Sequence, residues 1–142
     1  PLGNRGVSLT RAHTLYEPVK AVDYMKKANE ETILMVQIES PAGVKNIDDI
    51  LSIEGIDCAF VGPNDLSQSL GIMGQMDNPV LIEAIERVIV SAKDHGKFSG
   101  IHMSDIARIK GWIDKGMTFN LWSADTVMIM SAARMGLKEL KG

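Results

Sequence analysis

The chain has 142 residues, with 18 acidic side chains against 15 basic ones and a formal charge of −3. That length allows one domain with a real core, and a mildly acidic balance argues against a nucleic-acid or anionic-membrane surface, which needs a basic patch. No run of about 18 apolar residues predicts a transmembrane helix, PLGNRGVSLT lacks the layout of a signal peptide, and the single Cys58 has no internal partner, so a reduced cytoplasmic setting is expected.

In chain order, GNRGVSLTRAHTLY (3–16) reads as a long loop and EPVKAVDYMKKANE (17–30) as a helix. From residue 32 the chain alternates strand and helix four times. TILMVQIE (32–39) is a near-continuous apolar run, the pattern of a strand buried on both faces of a parallel sheet. Ser40 then caps a helix with Pro41 at its first position, Val44, Ile47, Ile50 and Leu51 at helical spacing, and Gly55 as its stop. IDCAFVG (56–62) is the second strand, closed by GPND, and GIMGQMDNP (71–79) is a rim loop expected to be mobile. The next helix starts at an Asp77 or Asn78 cap with Pro79 in its first turn. Leu81, Ile85, Val88, Ile89 and Ala92 form its apolar stripe and Gly96 stops it. FSGIHM (98–103) is the third strand. A short helix with Ile106, Ile109 and Ile113 follows, ending at Gly116. MTFNLWSAD (117–125) holds the fourth strand, and residues 126–140 form a last helix rich in Met, Ala and Ile.

This alternation predicts a parallel α/β fold. No GxGxxG or P-loop follows a strand, which weakens the nucleotide-binding versions. A complete (β/α)8 barrel needs about 250 residues and eight strands. The reading is therefore a single domain over 1–142, a partial TIM barrel with loop and helix over 1–31 and four βα units over 32–142.

Two acids stand at matched places: Glu39 closes the first strand and Asp65 follows the second. Ligands of parallel α/β proteins bind at the carboxyl ends of strands, and neighbouring strands lie about 4.8 Å apart. Two such carboxylates repel unless a cation joins them. Two protein oxygens leave positions for water and substrate, which suits Mg²⁺ or Mn²⁺ as a Lewis acid. The competing reading is a helix cap or a surface ion-pair partner at each position.

VQIESPAGVKNIDDILSIEGIDCAFVGPNDLSQSLG (36–71) resembles the HpcH/HpaI aldolase family, with its V-Q-I-E-[TS] and G-P-x-D-L-S segments. NRGVS (4–8), HGKFSGIHM (95–103) and the SAD at 123–125 sit where that family has similar segments. The resemblance implies a class II, metal-dependent pyruvate aldolase of the phosphoenolpyruvate/pyruvate-type TIM-barrel superfamily, with this chain as its C-terminal half. It implies that Glu39 and Asp65 bind Mg²⁺ or Mn²⁺, with Co²⁺ or Zn²⁺ as alternatives. Gln37 matches a residue facing the pyruvate site, and the backbone amides of Asn64 and Asp65 match those holding the substrate carboxylate. The implied reaction is aldol cleavage of a 4-hydroxy-2-oxo acid to pyruvate and an aldehyde, and its reverse.

The family's catalytic His, its acidic partner and its carbonyl-polarising Arg lie on earlier strands. The catalytic residues are thus expected outside this chain, and Arg5, Arg11 and His13 do not take their roles; Arg5 falls in the family's RG loop segment. His102 stands where the family usually has a pocket leucine. It reads as a hydrogen-bonded structural residue or as a polar contact to the substrate's distal end. Trp122 and Ser123 replace small residues, with Trp122 expected in the core, and Asp125 is expected to cap the last helix. Two rivals stand beside the aldolase reading. An acyl-CoA ester lyase of the citrate-lyase-like branch would need clustered basic residues, and none is evident. A catalytically incomplete fragment would bind metal and 2-oxo acid only. The last helix, with Val127, Met128, Ile129, Met130, Met135 and Leu137, is too apolar to face water. A homo-oligomer, or pairing with an N-terminal half, is expected.

Overall fold

The computed structural model describes residues 6–142, so Arg5 lies outside the described residues. The chain forms two compact units, one up to Ile33 and one from Leu34 to Gly142. In the first, a single 3₁₀ turn at Ala12–Thr14 precedes helix α1, Ala21–Glu31. Thr14 is buried there, its hydroxyl donating to the carbonyls of Leu9 and Arg11, both at 3.0 Å.

The second unit is a four-stranded, all-parallel sheet in the order β1-β2-β3-β4: Met35–Ile38, Cys58–Val61, Phe98–Met103 and Phe119–Trp122. Between strands lie α2 (Pro41–Lys45), α3 (Ile47–Leu51), α4 (Pro63–Ser69), α5 (Pro79–Asp94) and α6 (Ile106–Asp114); α7 (Asp125–Lys141) ends the chain. The fold is therefore of the parallel α/β, (β/α)8 type, with four βα units present.

Local chemistry accounts for most boundaries. Ser40 accepts from the Gly43 amide at 3.2 Å with Pro41 behind it, and Asn78 accepts from the Val80 amide at 3.0 Å with Pro79 behind it. Both are helix starts in which a side chain takes up an orphan N–H. Gly96 and Gly116 follow α5 and α6 with φ of +64° and +98°, a left-handed backbone that glycine adopts without a Cβ clash.

Several expectations need correction. The helix after β1 is two helices, broken at Asn46 (φ −96°, ψ 16°), and it ends at Leu51, before Gly55. The segment after GPND is itself a helix, α4, begun by Pro63. The loop beyond it is anchored: buried Ser67 accepts from the Gly74 amide at 3.1 Å, and its carbonyl accepts from Ile72 at 2.9 Å. On α6 the buried residues are Ile109 and Trp112, while Ile106 and Ile113 are exposed. The 3.6-residue period turns both outward once Trp112 takes the space against the core. The α7 cap position is Ala124; Asp125 is the first helical residue and accepts from the Thr126 amide at 2.7 Å. Trp122 is exposed rather than in the core, and its indole donates to the Ser104 carbonyl at 3.3 Å.

The core lies on one side of the sheet only. Ile38, Ala59, Val61 and Ile101 point to the helices and meet Leu81, Ile85, Val88, Ile89 and Ala92 of α5, with Ile47, Leu51 and Leu66. Strand residues of opposite parity form the inner face, where Met35, Gln37, Phe98, His102 and Leu121 are exposed. β1 is thus buried on one face, not two: Ile38 is buried while Met35 and Gln37 are exposed. Gly100 is required on this inner face. A Cβ there would lie 2.7 Å from the Phe119 carbonyl oxygen and 2.7 Å from Phe60, whose ring meets Phe119 edge-on at 6.3 Å.

Candidate functional site

The inner face is organised in rows by the strand register. Gln37, Phe60, Gly100 and Phe119 are aligned in one row. Strand alternation puts Glu39, Gly62, His102 and Leu121 in the next, at the carboxyl rim.

Gln37 and Glu39, two residues apart, share the inner face, and the Gln37 amide Nε2 donates to Glu39 Oε2 at 2.8 Å. The Glu39 main-chain carbonyl accepts from the Ser69 hydroxyl at 3.0 Å, tying the strand end to α4. Gly62 makes room for the pair. A Cβ on it would stand 3.0 Å from Gln37 Nε2 and 3.4 Å from Glu39 Oε2. Gln37 thus holds one carboxylate oxygen, while Oε1 has no hydrogen-bond partner among the described residues. Glu39 is exposed rather than buried in this chain, for the same reason that the inner face is open.

Asn64 and Asp65 occupy the first turn of α4 behind Gly62 and Pro63, both exposed. Pro63 removes one donor, and the amides of Asn64 and Asp65 find no partner among the described residues, as at any uncapped helix start. The Asn64 carbonyl accepts from the Ser67 hydroxyl at 2.7 Å, which locks the turn. His102 is exposed at the end of β3, and its Nε2 lies 2.8 Å from the Ser123 carbonyl oxygen.

Among the described residues no group of three or more His, Cys, Asp or Glu gathers in one place; the acids nearest the carboxyl rim are Glu39, after β1, and Asp65, in the first turn of α4. Oxygen donors few in number, with space left by a glycine, suit an ion that keeps water and substrate in its other positions. Sequence reasoning singled out Gln37, Glu39, Asn64, Asp65 and His102 but missed Ser69, which nothing local marks.

Parallel βα units carrying acids and free amides at the carboxyl ends of their strands match the place where ligands bind in parallel α/β folds. The chain belongs to the HpcH/HpaI aldolase/citrate lyase family, whose profile matches residues 6–132. It is 37% identical over 134 residues to a 5-keto-4-deoxy-D-glucarate aldolase of Shigella boydii, an alignment taking in 94% of this chain and 51% of that protein. The crystal structure of an HpcH/HpaI aldolase from Desulfitobacterium hafniense matches with a TM-score of 0.84 and 34% identity, over 99% of this chain and 54% of that one. An HpcH/HpaI aldolase/citrate lyase family protein from Burkholderia cenocepacia matches with a TM-score of 0.86 and 33% identity, over 99% and 54%. The chain spans about half the length of these relatives. No helix among the described residues is long and apolar enough to cross a membrane.

Proposed function

We propose that these residues form the metal- and carboxylate-binding side of a class II pyruvate aldolase acting on a 4-hydroxy-2-oxo acid. The observation that carries this reading is the Gln37–Glu39 pair, 2.8 Å apart at the carboxyl rim beside Gly62. Family membership and the likeness to a 5-keto-4-deoxy-D-glucarate aldolase support it.

Held by Glu39 and Asp65, Mg²⁺ or Mn²⁺ (or Co²⁺ or Zn²⁺ in their place) would supply Lewis-acid polarisation of the substrate's 2-oxo group. The chain's own residues do the rest of the binding. Gln37 holds Glu39 Oε2 by donating to it. The amides of Asn64 and Asp65 receive the substrate carboxylate, as oriented main-chain donors do for anions. His102 meets the distal end of the substrate. Carbon–carbon cleavage then gives pyruvate and an aldehyde. The proton-transferring His with its acidic partner, and the Arg that polarises the carbonyl, would come from outside these 142 residues. Alone, the chain is expected to bind metal and 2-oxo acid without turnover. The family description also names citrate lyases, but a CoA ester calls for clustered basic residues, and the acidic rim offers Glu39 and Asp65 instead. We further infer that α7 is covered by another copy of the chain, or that the open sheet pairs with an N-terminal half, in a cytoplasmic protein.

Titration of Mn²⁺ into wild type, Glu39→Gln and Glu83→Gln tests the centre. Affinity is expected to fall by about 10-fold or more in Glu39→Gln and to hold in Glu83→Gln, on the helix layer. Equal affinity in all three removes Glu39 from the site.

A further inference from the structure

His102 stands in the same inner-face row as Glu39, opposite Leu121. Its Nε2 is 2.8 Å from the Ser123 carbonyl oxygen. A carbonyl only accepts, so Nε2 carries the hydrogen. In the uncharged ring Nδ1 is then a lone-pair acceptor. Nδ1 has no partner among the described residues, and the side chain is exposed.

Ser123 is itself held in place. Its φ of +59° is a left-handed backbone, which a non-glycine residue keeps only when its surroundings impose it. Its N–H donates to the Met103 carbonyl at 3.0 Å, and the neighbouring Trp122 indole donates to the Ser104 carbonyl at 3.3 Å. Three bonds thus tie the end of β4 to the end of β3, and one of them ends on the imidazole.

We propose that Ser123 fixes His102 as the Nε2–H tautomer, so that His102 Nδ1 accepts a hydrogen bond from a substrate hydroxyl on the part released as aldehyde. This rests on the aldolase reading above and narrows the substrate class to a 2-oxo acid carrying hydroxyls beyond the cleaved bond. Length supports the placement. Glu39 and His102 lie on β1 and β3, two strand spacings or about 10 Å apart. A three-carbon unit held at Glu39 does not bridge that gap, whereas a hydroxylated chain of roughly five or six carbons, met by both side chains, does. In that uncharged tautomer a carboxylate would face lone pair against lone pair at Nδ1, whereas a hydroxyl brings a hydrogen.

The test uses the protein labelled with ¹⁵N-histidine, with Mg²⁺ and pyruvate present. The His102 ring signals are assigned by their loss in His102→Leu, or in His102→Gln should the leucine variant fail to fold. The expected spectrum is that of the Nε2–H tautomer, and D-glyceraldehyde shifts Nδ1 while propanal, which lacks the hydroxyls, does not. An Nδ1–H tautomer, equal shifts with the two aldehydes, or no shift with saturating glyceraldehyde overturns the proposal. By calorimetric titration, the preference for glyceraldehyde over propanal should drop about three- to tenfold in His102→Leu. His102→Gln, which keeps an acceptor, should retain it; loss of preference in both variants, or in neither, counts against the hydroxyl contact. Failure of the aldolase reading shows separately, as an Mn²⁺ affinity indifferent to Glu39→Gln, and leaves the ring spectrum unchanged.

Discussion

Helices α5 and α7 are nearly equal in length, 16 and 17 residues, and both are apolar, yet they end in opposite surroundings. α5 buries Leu81, Ile85, Val88, Ile89 and Ala92 against the sheet, and most of these are inaccessible to solvent. Every residue of α7 is exposed, including Ile129, Met130, Met135 and Leu137. The pattern explains the first half of the contrast. On α5 the apolar residues recur at i, i+4, i+7 and i+8, one stripe that matches a sheet face, with Glu83, Glu86, Arg87 and Lys93 turned away. On α7 they spread around most of the circumference, so no single surface of this chain satisfies them. The lesson is that apolar content sets how much surface a helix must hide, while its angular distribution sets how many neighbours it needs.

The strongest way to break the contrast is to remove α7. If a second copy covers it, light scattering on the purified protein should report an oligomer that falls to monomer mass when residues 126–142 are deleted. A monomer before truncation, or an unchanged mass after it, refutes that reading. Next in size is the α5 side. Leu81→Ala empties a fully buried site and should cost about 2–5 kcal/mol in denaturant unfolding. A loss under about 1 kcal/mol would show that the core collapses around the gap.

The smallest effect concerns how α5 is fastened. Asp48 on α3 accepts from the Ser91 hydroxyl and from the Arg87 guanidinium, both on α5. The Ser91 hydrogen bond first, and the Arg87 bond after it, hold the Asp48 carboxyl below its ordinary value of 3.8. A carboxylate with a depressed folded-state pKa adds stability that is complete above 3.8 and is lost as pH falls through the folded value. Asp48→Asn should therefore lower Tm modestly at neutral pH and flatten the acid arm of the Tm–pH curve. Parallel acid arms in the two proteins would assign the effect elsewhere. The group is solvent-exposed, which keeps the effect small.

Much of this molecule was legible residue by residue. The Ser40–Pro41 and Asn78–Pro79 helix starts, the α5 stripe and the FSGIHM strand are local events, settled within one or two turns by capping chemistry, fixed proline φ and side-chain period. The acid at the end of β1 was legible for the same reason: position on a strand fixes which end and which face a side chain occupies. Tertiary structure decided the rest. Whether Ile113 or Trp112 is buried depends on which volume fits the space under α6. The fastening of the loop after α4 depends on Ser67 and Gly74, seven residues apart. The Glu39 carboxylate is held by Gln37, a near neighbour, but its backbone is tied by Ser69, thirty residues on, and its side chain has room because position 62 is glycine. The same holds for His102, whose ring nitrogen meets a carbonyl twenty-one residues away on the next strand end. Local sequence encodes dihedral preference and periodicity; which atoms then meet across strands follows from register and packing, which no short window contains.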